Sequence, residues 1–183
     1  MRIVYIVIVI IGISFAMTSC TPPSEDEKTV EKIIEAANKG HVDEQFYLGT
    51  RYHMGTGIPQ DTTQAAHWYQ QAADQGHAAS QLVLGEMYDL GMGVTQDFKQ
   101  AKHWYRQAAD QGHAAAQCSL ALMHNHGQGT QKNPLQAYIW ALFAVENGEK
   151  KCGELRDAVA KTLTAEQQAE GQRRVSEWFD SNQ

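Results

Sequence analysis

Much of what gives small proteins a chemistry is scarce here. Three cysteines in 183 residues are too few for a disulfide framework. Basic residues are outnumbered, 15 Lys and Arg against 21 Asp and Glu for a net charge of −6. With no Lys/Arg cluster, the chain lacks the footprint that phosphate backbones select, which excludes nucleic-acid binding. β-Branched apolar residues are sparse beyond residue 19, four Ile and seven Val in 164 residues, which argues against a β-propeller. No HExxH, GxSxG, SxxK or GxxxxGK[ST] pattern occurs, and Gly55-Thr56-Gly57 and Gly91-Met92-Gly93 follow helical patterns, so they read as turns, not phosphate loops. No catalytic residue, cofactor or resident metal is expected, and the length leaves no room for a separate cofactor domain.

What is present begins with a leader. Arg2 precedes fifteen almost wholly apolar residues, Ile3 to Met17, and small Thr18 and Ser19 lead to Cys20. This reads as a secretory signal over residues 1–19. Fifteen helical residues reach about 22 Å of the ~30 Å hydrocarbon core, so a plain transmembrane anchor is the weaker alternative. Met17-Thr18-Ser19-Cys20 resembles the bacterial lipobox, with Met17 where Leu is usual. The resemblance implies cleavage before Cys20 and acyl chains such as palmitate on that residue, a membrane attachment through lipid. Thr21, where Asp is the usual inner-membrane retention signal, implies the outer membrane. Residues 20–28, with two Pro and three acids, are expected to form a solvated tether on the periplasmic side of the cell envelope.

From His41 the chain repeats every 36 residues, in units 41–76, 77–112 and 113–148. The first and second agree at 20 of 36 positions and the second and third at 13, without a gap. Such a period marks a repeat array. Within the second unit Gln81, Leu84, Gly85 and Tyr88, then Ala101, Trp104, Tyr105 and Ala108, follow the i, i+3, i+4, i+7 spacing of two helices. Gly91 suits the end of the first and Asp97 the N-cap of the second. Residues 29–40 read as a half-repeat helix in phase with the units. Residues 149–183 read as two capping helices, the last opened by a Thr164–Gln167 capping box.

The spacing L-G-x-x-Y-x-x-G-x-G, then D, then A-x-x-W-Y-x-x-A-A-x-x-G resembles the Sel-1-like repeat family, relatives of the tetratricopeptide repeats. The third unit departs, with Ala121 for Gly85, His124 for Tyr88, Asn133 for Asp97 and Ala141 for Tyr105. The resemblance implies an all-α, right-handed superhelical solenoid of about nine helices. Leu48, Leu84, Leu120 and Trp68, Trp104, Trp140 are its expected core anchors, because one hairpin cannot bury its apolar face alone.

Function is expected where the units differ. In tetratricopeptide-like arrays the first helix of each hairpin lines the concave surface. Stepping outward from the Leu-Gly pair gives stripes of Asp43, Phe46, Thr50 and His53, then Ala79, Leu82, Glu86 and Asp89, then Ala115, Cys118, Leu122 and Asn125. A hollow with apolar centres and an acidic edge suits a segment of another protein. Five of the eight His recur with the repeat, and His124 and His126 lie two apart, where helical side chains do not share a face, so metal binding there, with or without His53, is the weaker reading. Cys118 and Cys152, 34 residues apart on successive first helices, either bridge in an oxidising compartment or stay free. The resulting expectation is a monomeric, non-enzymatic adaptor, lipid-anchored in the bacterial envelope and binding an unidentified protein partner. The alternative is an accessory protein binding cell wall or exported polysaccharide.

Overall fold

The computed structural model describes residues 25–181, with side chains from residue 29. The leader and Cys20 lie outside the described residues. Nine helices make up those residues, with no strand among them: α1 (Glu25–Asn38), α2 (Val42–Met54), α3 (Thr62–Asp74), α4 (Ala78–Leu90), α5 (Phe98–Asp110), α6 (Ala114–His126), α7 (Pro134–Glu146), α8 (Cys152–Ala160) and α9 (Ala165–Ser181). α1 starts at Glu25, inside the stretch read as tether. Acidic residues are favoured in a first helical turn, so a run of acids after the two prolines is a helix start as readily as a solvated spacer.

Capping chemistry sets the hairpin boundaries. The Asp61 carboxylate accepts from the amides of Thr63 and Gln64, Asp97 from Lys99 and Gln100, and Asn133 from Gln136. Each second helix therefore starts at the same point in its unit. The first helix of the second unit ends at Gly91, whose φ of 70° is the left-handed conformation that only glycine adopts freely. Gly93 serves another purpose, because a Cβ there would run into the Thr62 carbonyl and prevent the turn from seating on the start of α3. Gly129 meets the Phe98 carbonyl in the same way, so the turns of the second and third units dock on the preceding hairpin.

The hairpins α2–α3, α4–α5 and α6–α7 stack in chain order, each second helix also packing on the first helix of the next unit. A buried amide ladder threads these contacts. Gln45 Nε2 donates to the Ala37 carbonyl at 3.2 Å, and Gln75 Nε2 donates to Gln45 Oε1 at 2.7 Å. The arrangement recurs as Gln81, Ala73 and Gln111, and then as Gln117, Ala109 and Asn147. Buried amides without partners would be costly; here each Gln of the first helices both donates and accepts. Leu48, Leu84 and Leu120 are fully buried, and Trp104 and Trp140 are buried. Trp68 is only half-buried, because a single helix, α1, precedes its hairpin.

The C-terminal end is built differently. The disulfide between Cys118 and Cys152, with Cα atoms 5.8 Å apart, ties α6 to α8. Helix α9 folds back on α7, where Gly171 lies against the Tyr138 ring and Phe143 meets Trp178 and Phe179 at 5.3 and 5.9 Å between centroids. Thr164 and Gln167 form the reciprocal capping box that opens this helix. Among the described residues no helix is long and apolar enough to cross a membrane.

Candidate interaction face

The inward face of each first helix is used up by the stack. In α4, Ser80, Gln81, Leu84, Gly85 and Met87 are buried, so at 100° per residue the opposite side is centred on Glu86 and includes Leu82, Val83, Asp89 and Leu90. The same positions in α2 and α6 continue this face across the array.

The expected stripe divides when its residues are placed. Phe46 and Leu82 are half-buried and serve the packing between hairpins: the Phe46 ring lies 5.8 Å from that of Tyr69 and 4.8 Å from that of His77, and Leu82 packs on the core around Tyr105 and Leu120. Cys118, at the same point in its unit, is bonded to Cys152. This series joins successive units, so it is corrected from docking surface to internal seam. Thr50 is also engaged internally, donating to the Phe46 carbonyl at 3.0 Å and accepting from the Tyr69 hydroxyl at 3.2 Å. Ala79, Ala115, His53, Asp89 and Asn125 are half-buried, whereas Asp43, Glu86 and Leu122 are exposed.

Apolar side chains that the stack does not absorb lie beside these. Tyr47, Met54, Leu90 and Leu122 are 57, 69, 65 and 42% exposed, all on the outward side of first helices. Tyr47, Met54 and Leu90 are missing from the expected stripe because it advanced by i+3 and i+7, whereas these sit at the i+4 and i+11 steps of the same face. A further signal was available: Met54 and Leu90 are large apolar residues immediately before the turn glycines Gly55 and Gly91, where the hairpin has no core left to fill.

The centre of the face is acidic. Partial burial, then the charge of Asp89, raises the Glu86 carboxyl above its ordinary value, and His53 offsets this only in part. Two tyrosines reach this point from the second helices. Burial raises both hydroxyls, Tyr105 strongly, with Asp89 and Glu86 adding to it, while hydrogen bonding to Ser119 for Tyr105 and to Thr50 for Tyr69 offsets part of the rise. Next to Asp89 a hollow of about 510 Å³ opens between Ser119, Leu122, Met123, His126 and Gln128. It has an apolar wall and a carboxylate at its edge. Among the described residues no group of three or more His, Cys, Asp or Glu side chains is placed to hold a metal ion. The geometry of the face suits binding by shape, apolar contact and charge.

Comparison with known proteins agrees with this architecture. The Sel1 repeat family matches residues 45–77, 78–113 and 114–149. A Sel1 repeat protein from Oxalobacter formigenes is 32% identical, with a TM-score of 0.69 over 71% of this chain and 54% of that one. A protective antigen of uropathogenic Escherichia coli strains, described as displaying an SLR fold, is 31% identical, with a TM-score of 0.73 over 83% of this chain and 34% of its own. Helicobacter pylori cysteine rich protein B shares the fold at 19% identity and a TM-score of 0.58, over 70% of this chain and 96% of that protein. The chain thus spans about half and a third of the first two relatives, and no curated protein matches it. With three matched repeats covering more than half of its length, the chain belongs to the Sel1 repeat family.

Proposed function

We propose that this protein is a non-enzymatic interaction scaffold, attached by lipid on Cys20 to the bacterial envelope, which holds a partner protein on the outward face of α2, α4 and α6. Sel1 repeat proteins are typically protein–protein interaction scaffolds. The observation that carries the reading for this chain is the exposed apolar set Tyr47, Met54, Leu90 and Leu122. Four large apolar side chains gathered on one face, each left out of the stack, are what an interface presents and a solvated surface avoids. The leader and lipobox of residues 1–20 support the location, and a disulfide in a chain of few cysteines supports an oxidising compartment. Residues 1–24 are then leader and tether, with the outer membrane as destination.

Two experiments test this. Metabolic labelling with an alkyne fatty acid should mark the full chain and should be lost in Cys20→Ala; label retained in that variant would overturn the anchor. Crosslinked purification from intact cells should recover a stoichiometric protein with the wild type and lose it in Tyr47→Gln/Leu90→Gln/Leu122→Gln with melting unchanged. Sedimentation with purified cell wall and no protein partner would favour a polymer ligand instead.

A further inference from the structure

The scaffold reading leaves the chemistry of the partner open, and the charges of the first helices narrow it. Helices α2, α4 and α6 carry four carboxylates, Asp43, Glu44, Glu86 and Asp89, against one Arg and no Lys. That Arg51 is turned into its own turn, where Nη1 donates to the Thr56 carbonyl at 3.1 Å. The other ion-paired Lys and Arg side chains lie elsewhere: Lys39 on Glu35, Arg106 on Asp110, Arg156 on Asp157, and Arg173 and Arg174 on α9. Glu86 and Asp89, one turn apart, therefore have no Lys or Arg partner among the described residues, although both are partly desolvated. Two like charges held together at the edge of a low-dielectric surface repel, and a cation brought by a partner relieves that repulsion.

The geometry pairs this charge with apolar surface. The hollow beside Asp89 has Leu122 and Met123 in its wall, so the hydrocarbon stem of a Lys or Arg would lie along these two while its charged head meets the carboxylate. Leu90, one turn beyond Glu86 on α4, and Tyr47 on α2 add exposed apolar surface to the same face. A helix of about 15 residues at 1.5 Å each, about 22 Å long, is long enough to run across successive first helices. Resting on the scaffold reading, we infer that the first-helix face docks a basic amphipathic segment of a partner protein, with apolar side chains against Tyr47, Leu90 and Leu122 and Lys or Arg side chains against Glu86 and Asp89. An anionic polymer or an anionic lipid surface would be repelled from the same place.

The test uses the full chain in nanodiscs of neutral lipid and two labelled helical peptides of about 15 residues, identical in their Leu positions but with Lys in one and Glu in the other. The Lys peptide should bind about tenfold more tightly, and raising salt from about 50 to about 500 mM should remove most of that preference. Glu86→Gln/Asp89→Asn should erase the preference, whereas Glu154→Gln/Asp157→Asn, which removes the same charge from α8, should leave it intact. Equal binding of the two peptides would overturn the inference while leaving the scaffold reading standing, as would a preference that both double variants weaken alike, since that would report net charge alone. If Leu90→Gln/Leu122→Gln bound the Lys peptide as the wild type does, the apolar part of the inference would fall. Failure of the scaffold reading itself appears separately, as the absence of any partner that depends on Tyr47, Leu90 and Leu122 in crosslinked cells.

Discussion

The first two hairpins and the third solve one packing problem in opposite ways. In α2 and α4 a glycine receives the ring of a tyrosine from the second helix: a Cβ on Gly49 would sit 2.9 Å from Tyr69, and one on Gly85 2.6 Å from Tyr105. In the third hairpin both partners change together, to Ala121 and Ala141, and the two buried methyl groups take the place of a ring in a notch. Side chains from outside the repeat join the core of this hairpin. Cys152 of α8 and Val175 of α9 enter the same core cluster as Ala121, Ala141 and Phe143. The glycine–tyrosine contact is thus made within each of the first two hairpins, whereas the third also draws on its cap. Glycine against tyrosine returns once more where Gly171 of α9 meets Tyr138, now fastening the cap instead of closing a hairpin.

The largest expected effect strikes the glycine–tyrosine contact of the first two hairpins. Tyr105→Ala should cost about 3–5 kcal/mol in urea unfolding, because Gly85 leaves nothing to collapse into the space. Gly85→Ala alone should destabilise through overpacking of about 1–3 kcal/mol, offset by about 1 kcal/mol of helix propensity. In the double variant, which copies the third hairpin, the alanine fits, and the coupling should fall in the range of about 0.5–3 kcal/mol. Additive costs would break the comparison.

Reducing the bridge tests the other side. Cys118→Ser/Cys152→Ser should lose about 3–4 kcal/mol by the loop-entropy relation for a 34-residue separation. Hydrogen exchange should rise first in α8, while α2 to α5 keep their protection. Equal loss of protection throughout would show the cap to be no more local than the repeats. Smaller in effect, Gln81→Leu should cost about 1–3 kcal/mol, since it strands the Ala73 carbonyl, which accepts from Gln81 in a buried hydrogen bond.

The smallest effect depends on pH. His124 replaces the tyrosine of the earlier hairpins, and burial, with Lys102 and Arg106 nearby, holds its pKa below the ordinary 6.5. The unfolded chain therefore binds this proton before the folded one does, so the stability linked to the group is present above pH 6.5 and declines as pH falls toward the folded value. His124→Phe should flatten that decline in thermal melts between about pH 7 and about pH 5. An unchanged slope would assign it to other groups.

Sequence alone exposed the repeating half of this molecule. Asp97, Gly91 and the Thr164–Gln167 pair act locally, so their roles follow from spacing, and Leu84 is buried because every unit repeats its surroundings. Where contacts cross between units, spacing was insufficient. Phe46 and Leu82 look outward on a helical wheel, but the neighbouring hairpin covers them with His77 and the Tyr105 core. The return of α9 onto α7 has no counterpart in the repeat from which it could be inferred. The bridge depended on which way two side chains face, and an offset of 34 against a period of 36 could not decide that.

The central claim is that repeated positions hold the fold while the unrepeated apolar positions of the first helices hold the partner. Site-specific photocrosslinking in living cells tests this most directly, with a benzophenone amino acid placed in turn at Tyr47, Leu90 and Leu122 and, on the second helices, at exposed Gln71 and Gln107. The account predicts one discrete protein adduct shared by the first three positions and none from the last two. Adducts from Gln71 and Gln107, with none from Leu90 and Leu122, would contradict it.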